Sequence, residues 1–143
     1  MKIGVPKEIK SQENRIGLTP ESVKILTSNG NEVMVENNGG FEAGFYNEQY
    51  KSAGAKIVDK AEDIFNDSEI IVKVKEPQSS EVKMIKENQI VFTYLHLAAA
   101  KELTKGLVDS KSVCIAYETV TDNNGRLPLL APMSAVAGRM SVQ

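Results

Sequence analysis

Short apolar runs rich in β-branched residues punctuate the chain, with helix-compatible segments between them. The runs are Ile3-Gly4-Val5, Glu32 to Glu36 (EVMVE), Lys56-Ile57-Val58, Glu69 to Val74 (EIIVKV), Gln89 to Tyr94 (QIVFTY) and Ser112 to Tyr117 (SVCIAY). Their length and composition predict six strands. Between the first two, Thr19 suits a helix N-cap, Pro20 the first helical position and Gly30 a left-handed end, so a helix is predicted over 20–29. Shorter helices are predicted over 47–53, 60–66, 80–87 and 99–108.

Strand and helix therefore alternate throughout. Parallel neighbours need a crossover, and right-handed crossovers lay helices on the sheet, so the pattern predicts an α/β fold: a Rossmann-like (flavodoxin-like), doubly wound, mostly parallel sheet. Residues 118–128 (ETVTDNNGRLP) interrupt the rhythm, because Asn124-Gly125 is a turn signal and Pro128 disfavours helix before it. We place a boundary there, with one unit over 1–128 and, over 129–143, the start of a helix leading out of it.

In open parallel sheets the ligand crevice lies beyond the carboxyl ends of the strands, so residues just after each strand are the candidates for chemistry. Arg15 follows the first strand, and its guanidinium offers paired donors that match a carboxylate; the alternative is a solvated loop arginine. Lys75 ends the fourth, where alternation would set it on the side of Ile71 and Lys73, ready to bind a carbonyl or carboxylate or else to snorkel to solvent. His96 follows the fifth; a strand persisting that far would align it with Phe92 and Tyr94, and an imidazole titrating near pH 6.5 suits general acid-base work as well as a structural hydrogen bond. Glu118 ends the sixth and could hold an amide or a lysine, but carboxylates at strand ends are common and it is left outside the site. Cys114, inside an apolar strand, is read as packing.

Composition narrows the classes. Seventeen Lys and Arg against nineteen Asp and Glu leave a formal charge of −2, and the basic residues are scattered, which argues against nucleic acid as a partner. One cysteine and one histidine exclude an internal disulfide, a thiolate cage and any multi-imidazole metal site, so no metal is expected. The first apolar stretch stops at Pro6, far short of a signal core or of the ~20 residues of a membrane span, so the reading is cytoplasmic and without a membrane partner. Gly39-Gly40 followed by Gly44 is not a GxGxxG, and neither a dinucleotide fingerprint nor a P-loop occurs.

Four segments, MKIGVPKEIKSQENRIGLTP at the start, IIVKVKEP at 70–77, FTYLHLAAA at 92–100 and LPLLAPMSAVAGRMSVQ at 127–143, together resemble the amino-terminal part of the alanine dehydrogenases, along the whole chain. The related nicotinamide nucleotide transhydrogenase alpha subunit shares a weaker form of the start; His96 in TYLHL separates the two. The resemblance implies reversible NAD-dependent deamination of L-alanine to pyruvate and ammonium. It implies that Arg15 clamps the substrate carboxylate, that Lys75 binds and polarises the carbonyl, that His96 exchanges the proton, and that Met133 and Ser134 lie beside the nicotinamide, Ser134 contacting the cofactor. It also implies a homohexamer, and an NAD-binding domain that these 143 residues do not include, so the fragment alone is expected to be inactive. The competing readings are a transhydrogenase alpha-subunit segment and a non-catalytic ligand-binding or assembly module. The geometric expectation common to the first reading is that Arg15, Lys75 and His96 converge on one crevice.

Overall fold

The structure, a computed structural model, describes residues 1–142. All six strands form where the apolar runs lie: β1 (Lys2–Val5), β2 (Glu32–Glu36), β3 (Lys56–Val58), β4 (Ile70–Val72), β5 (Ile90–Thr93) and β6 (Val113–Ala116). Every pairing is parallel, in the order β3-β2-β1-β4-β5-β6. Within the doubly wound class this is the Rossmann order.

The crossovers are α1 (Pro20–Ser28), α2 (Asn47–Ser52), α3 (Ala61–Asp67), α4 (Ser79–Val82) and α5 (Lys101–Ser110); α6 (Ala131–Met140) follows. The Thr19 hydroxyl accepts from Ser22 N at 3.2 Å, capping α1 as its sequence predicts. Apolar burial divides between the two faces of the sheet. Ile3, Val5, Val33 and Val35 pack with Val23 and Tyr50 of the first two helices, while Met34, Ile71 and Val91 pack with Ile64, Phe65 and Leu107 on the other side. Cys114 joins the second cluster, as a packing residue does. The 118–128 segment is a turn in which the Asp122 carboxylate accepts from Asn124 N and Arg126 N.

Three details depart from the sequence reading. β4 stops at Val72 and β5 at Thr93, so period-two alternation governs neither Lys75 nor His96. The helix predicted over 80–87 is a single turn, Ser79–Val82, opened by Glu81, whose carboxylate accepts Gln78 N at 2.8 Å, and followed by a turn from Met84 N to Glu81 O. Beyond the two strand ends the amides of Val74 and Lys75 turn to the Glu8 carboxylate and those of Leu95 and His96 to Glu118, while Lys73 N to Phe92 O and Tyr94 N to Val74 O still join the two segments.

Successive crossovers run one way from β1 to β3 and the other way from β4 to β6, so the order reverses between adjacent β1 and β4. At such a switch point the two following loops diverge and leave a crevice. Here they touch: a Cβ on Gly17 would fall 2.6 Å from the Val72 carbonyl oxygen, so the loop after β1 passes against the end of β4 only because residue 17 has no side chain.

Candidate functional site

The loop after β1 sends Glu8 inward rather than to solvent. One carboxylate oxygen accepts Lys73 Nζ at 2.9 Å; the other accepts Val74 N at 2.6 Å and Lys75 N at 3.3 Å. Lys73 Nζ also lies 2.8 Å from Glu81 Oε1, and all three side chains are buried. A buried cation between two carboxylates is paired well enough to survive burial, and it welds the β1 loop, the β4 end and α4 together. Sequence reasoning missed this network. A lysine inside EIIVKV was its signal, since a lysine in a buried run requires a carboxylate partner.

The network holds Lys75 from one side, and the buried Thr93 hydroxyl donates to its carbonyl at 2.9 Å from the other. The Lys75 side chain is thereby held beyond the carboxyl edge of the sheet, 24% exposed. Next to it, Glu76 receives Lys10 Nζ on Oε1, while Oε2 lies 3.8 Å from Lys75 Nζ and 3.7 Å from His96 Nδ1. That Oε2 is shielded from solvent and accepts no hydrogen bond. Burial pushes the Glu76 carboxyl up, but the Lys10 hydrogen bond, its own backbone amide and the charges of Lys75 and Lys10 outweigh it and hold the group below its ordinary value. Glu76 was not singled out from the sequence, although it adjoins Lys75.

His96 sits beyond β5 with φ at +51°, in the left-handed region. The Glu118 carboxylate, placed by the end of β6, accepts His96 N at 2.8 Å and Leu95 N at 3.0 Å. Glu118 therefore does hold amides and belongs to the site. Burial raises its carboxyl, and the bonds from His96, its own backbone and Leu95 more than reverse that, leaving it low. The imidazole is half exposed and its centroid lies 6.2 Å from that of Tyr94; Tyr94 in turn packs edge to face on Tyr117 at 4.9 Å. Tyr117 meets Phe92 at 4.3 Å, and burial pushes its phenol up.

Arg15 is gripped by Glu13, through Nε to Oε1 at 2.8 Å and Nη2 to Oε2 at 2.6 Å. That hydrogen bonding raises the guanidinium and lowers the Glu13 carboxyl, to which the charge of Lys75 adds. The free-facing Nη1 donates to Met133 Sδ of α6 at 3.0 Å. Ser134, next on α6, is exposed, and its amide bonds Leu130 O within the helix.

The structure thus brings Lys75 and His96 to one oxygen of Glu76, and couples Arg15 to Lys75 only through Glu13. The hollow lined by Arg15, Met133 and Val136 is not the one of about 460 Å³ lined by His96, Leu97 and Glu118, and Lys75 lines neither. The three side chains therefore do not line one hollow; Lys75 and His96 are linked through their common neighbour Glu76. Among the described residues no group of three His, Cys, Asp or Glu side chains is placed to hold a metal ion, and no helix is long and apolar enough to cross a membrane.

An all-parallel sheet in this strand order, with a lysine, a histidine and an arginine in the loops beyond its carboxyl edge, defines an α/β domain of the Rossmann class. The family model described as alanine dehydrogenase/PNT, N-terminal domain, matches residues 4–137, and the chain belongs to that family. It is 55% identical over its whole length to an alanine dehydrogenase of Staphylococcus epidermidis, 52% to one of Halomonas elongata and 50% to one of Methanococcus maripaludis. The chain spans 38% of the length of each of these relatives. Among solved structures, an L-alanine dehydrogenase superposes over the whole chain with a TM-score of 0.94 at 52% identity, covering 39% of that protein. A transhydrogenase from Sinorhizobium meliloti superposes over 87% of the chain and 35% of its own, with a TM-score of 0.80 at 24% identity, and so shares the fold.

Proposed function

We propose that this chain is the substrate-binding part, residues 1–128 with the connecting helix from 129, of an NAD-dependent alanine dehydrogenase that interconverts L-alanine with pyruvate and ammonium. The observation that carries the reading is the meeting of Lys75 and His96 at the shielded Oε2 of Glu76, in a chain whose relatives bear that name.

Each residue answers one demand of the reaction. The ammonium of Lys75 stabilises negative charge on the keto oxygen as ammonia adds to the carbonyl. The imidazole of His96 gives and takes the protons lost and gained as the carbinolamine forms and dehydrates. Arg15 binds the carboxylate with the donors that Glu13 leaves open, or by displacing Glu13, whose bidentate grip mimics the substrate anion. Orientation of this kind lowers a barrier by several kcal/mol, about 7 to 11 at best.

A dinucleotide does not fit the described residues by themselves. The turn after β1, where a glycine-rich loop would cradle a pyrophosphate, is filled by the Glu8 carboxylate, and the amides of Val74 and Lys75 are already taken. In this reading NAD is held by residues outside these 143, and this chain contributes Ser134 toward it. A homo-oligomer in the cytoplasm is part of the same reading, in keeping with the modest charge of −2.

The test is a pyruvate titration of the 143-residue chain followed by NMR of the His96 ring. Saturable shifts, lost in Lys75→Ala and Arg15→Ala, are expected. An unmoved ring in the parent chain refutes the substrate assignment. The chain alone is expected not to oxidise NADH with pyruvate and ammonium, and any such turnover contradicts the placement of the cofactor elsewhere.

A further inference from the structure

Glu118 lies beside the candidate chemistry without touching any side chain in it. Its carboxylate instead reaches across from the end of β6 to the loop after β5, where Leu95 N and His96 N point at the same oxygen, at 3.0 and 2.8 Å. Two successive amides that converge because the second residue is left-handed make a small anion-binding nest, and here the anion is supplied by the chain itself. A left-handed backbone is unfavourable for a histidine, since its Cβ crowds the following carbonyl, and it persists only where surrounding contacts over-determine it.

We propose that Glu118 is the positioning residue for His96: by filling the Leu95–His96 nest it holds residue 96 in the left-handed conformation that directs Nδ1 toward Glu76. A peptide released to an ordinary conformation would swing the ring away from Oε2 of Glu76, now 3.7 Å distant, and from Lys75 behind it. The other contact on the ring is Tyr94, whose own backbone is set one residue earlier. Two carboxylates in the site then follow one pattern, in which an acid from one strand end takes the amides of the neighbouring functional loop: Glu8 does so for Lys75, and Glu118 does so for His96. Glu118 is the informative one to test, because it is only partly buried while Glu8 is part of the buried ion network.

The functional half of this inference rests on the pyruvate reading above; the conformational half does not, and the experiment separates them. The 143-residue chain is prepared as the parent, Glu118→Gln and Glu118→Ala, and folding of each is checked by urea titration. In the parent, the amide resonances of Leu95 and His96 are expected to titrate together with a midpoint below the usual carboxylate range, and His96 is expected to show the strong intraresidue amide-to-Hα NOE of positive φ. The charged groups facing the ring are Glu76, Glu118 and, beyond Glu76, Lys75, with the Tyr94 phenol alongside. A step seen at Leu95 as well as His96 and absent from Glu118→Gln is assigned to Glu118, because Glu76 does not bond the Leu95 amide. Loss of the step in Glu118→Gln and of the NOE in Glu118→Ala supports the proposal. An unchanged NOE and unchanged amide shifts in Glu118→Ala overturn it, whatever pyruvate does. If the parent binds pyruvate, Glu118→Ala is expected to weaken it about tenfold, the effect of one charge-assisted hydrogen bond. Unaltered affinity alongside a released backbone would overturn the role in positioning for substrate, and a parent that ignores pyruvate would refute the substrate reading while the backbone signals still decide the conformational one.

Discussion

Replacing Lys73 by methionine removes the cation from between Glu8 and Glu81 while keeping most of the side-chain volume. In the parent the ammonium lies 2.9 Å from Glu8 Oε2 and 2.8 Å from Glu81 Oε1, with none of the three side chains more than 2% exposed. Taking one partner from a buried ion pair costs about 3–5 kcal/mol, because the remaining charge is neither hydrated nor paired. Against a total stability of roughly 5–15 kcal/mol for a domain, that is a large share. The two orphans are unequal. Glu8 keeps the amides of Val74 and Lys75 on its other oxygen, whereas Glu81 keeps only Gln78 N, so adding Glu81→Gln to Lys73→Met should recover more stability than adding Glu8→Gln. Urea unfolding of the parent, the single and the two double variants, followed by far-ultraviolet circular dichroism, measures all three differences. A Lys73→Met chain within about 0.5 kcal/mol of the parent, the scatter of ordinary surface substitutions, would refute the claim that the network carries structural weight.

Two further outcomes follow from single contacts. Burial pushes the Tyr50 phenol up to about 12 while its hydroxyl donates to Leu18 O at 2.9 Å; a raised folded value means the stabilisation is whole below about pH 10, the ordinary tyrosine value, and is lost as pH rises toward 12, so Tyr50→Phe should flatten the alkaline limb of a stability profile and cost about 1 kcal/mol at neutrality. Gly17→Ala forces a Cβ within 2.6 Å of the Val72 carbonyl oxygen, a backbone atom that cannot swing aside, and should destabilise the chain by about 1–3 kcal/mol in thermal melts, whereas a neutral effect would show that the β1 loop does not press on the end of β4.

Particular residues show how far the sequence could be read. Thr19, Pro20 and Gly30 bracket α1 where its capping chemistry puts it, and the runs at 32–36 and 56–58 became strands with those bounds. The candidate Lys75 and His96 do share a neighbour. Glu76, standing between them, had no mark beyond adjacency, and Glu118 looked like any carboxylate at a strand end until β6 was seen beside β5. The ends of β4 and β5 were overrun because apolar alternation continues through Val74 and Tyr94, whereas the amides of Val74 and Lys75 have turned to Glu8 and those of Leu95 and His96 to Glu118.

Taken alone, the order of residues determined which segments are strand and which helix, the parallel α/β class that their alternation implies, and the short roster of polar groups that follow the strands. These are local matters of side-chain period, capping and turn chemistry. Only the tertiary structure decided that β1 lies against β4, that Glu8 meets Lys73 across 65 positions, that Glu118 supports His96 across 22, and that Arg15 is engaged by Glu13 instead of joining the other two. A buried charge chooses its partner by proximity in the folded state, and proximity between distant segments is set by strand order and register, which no local pattern encodes.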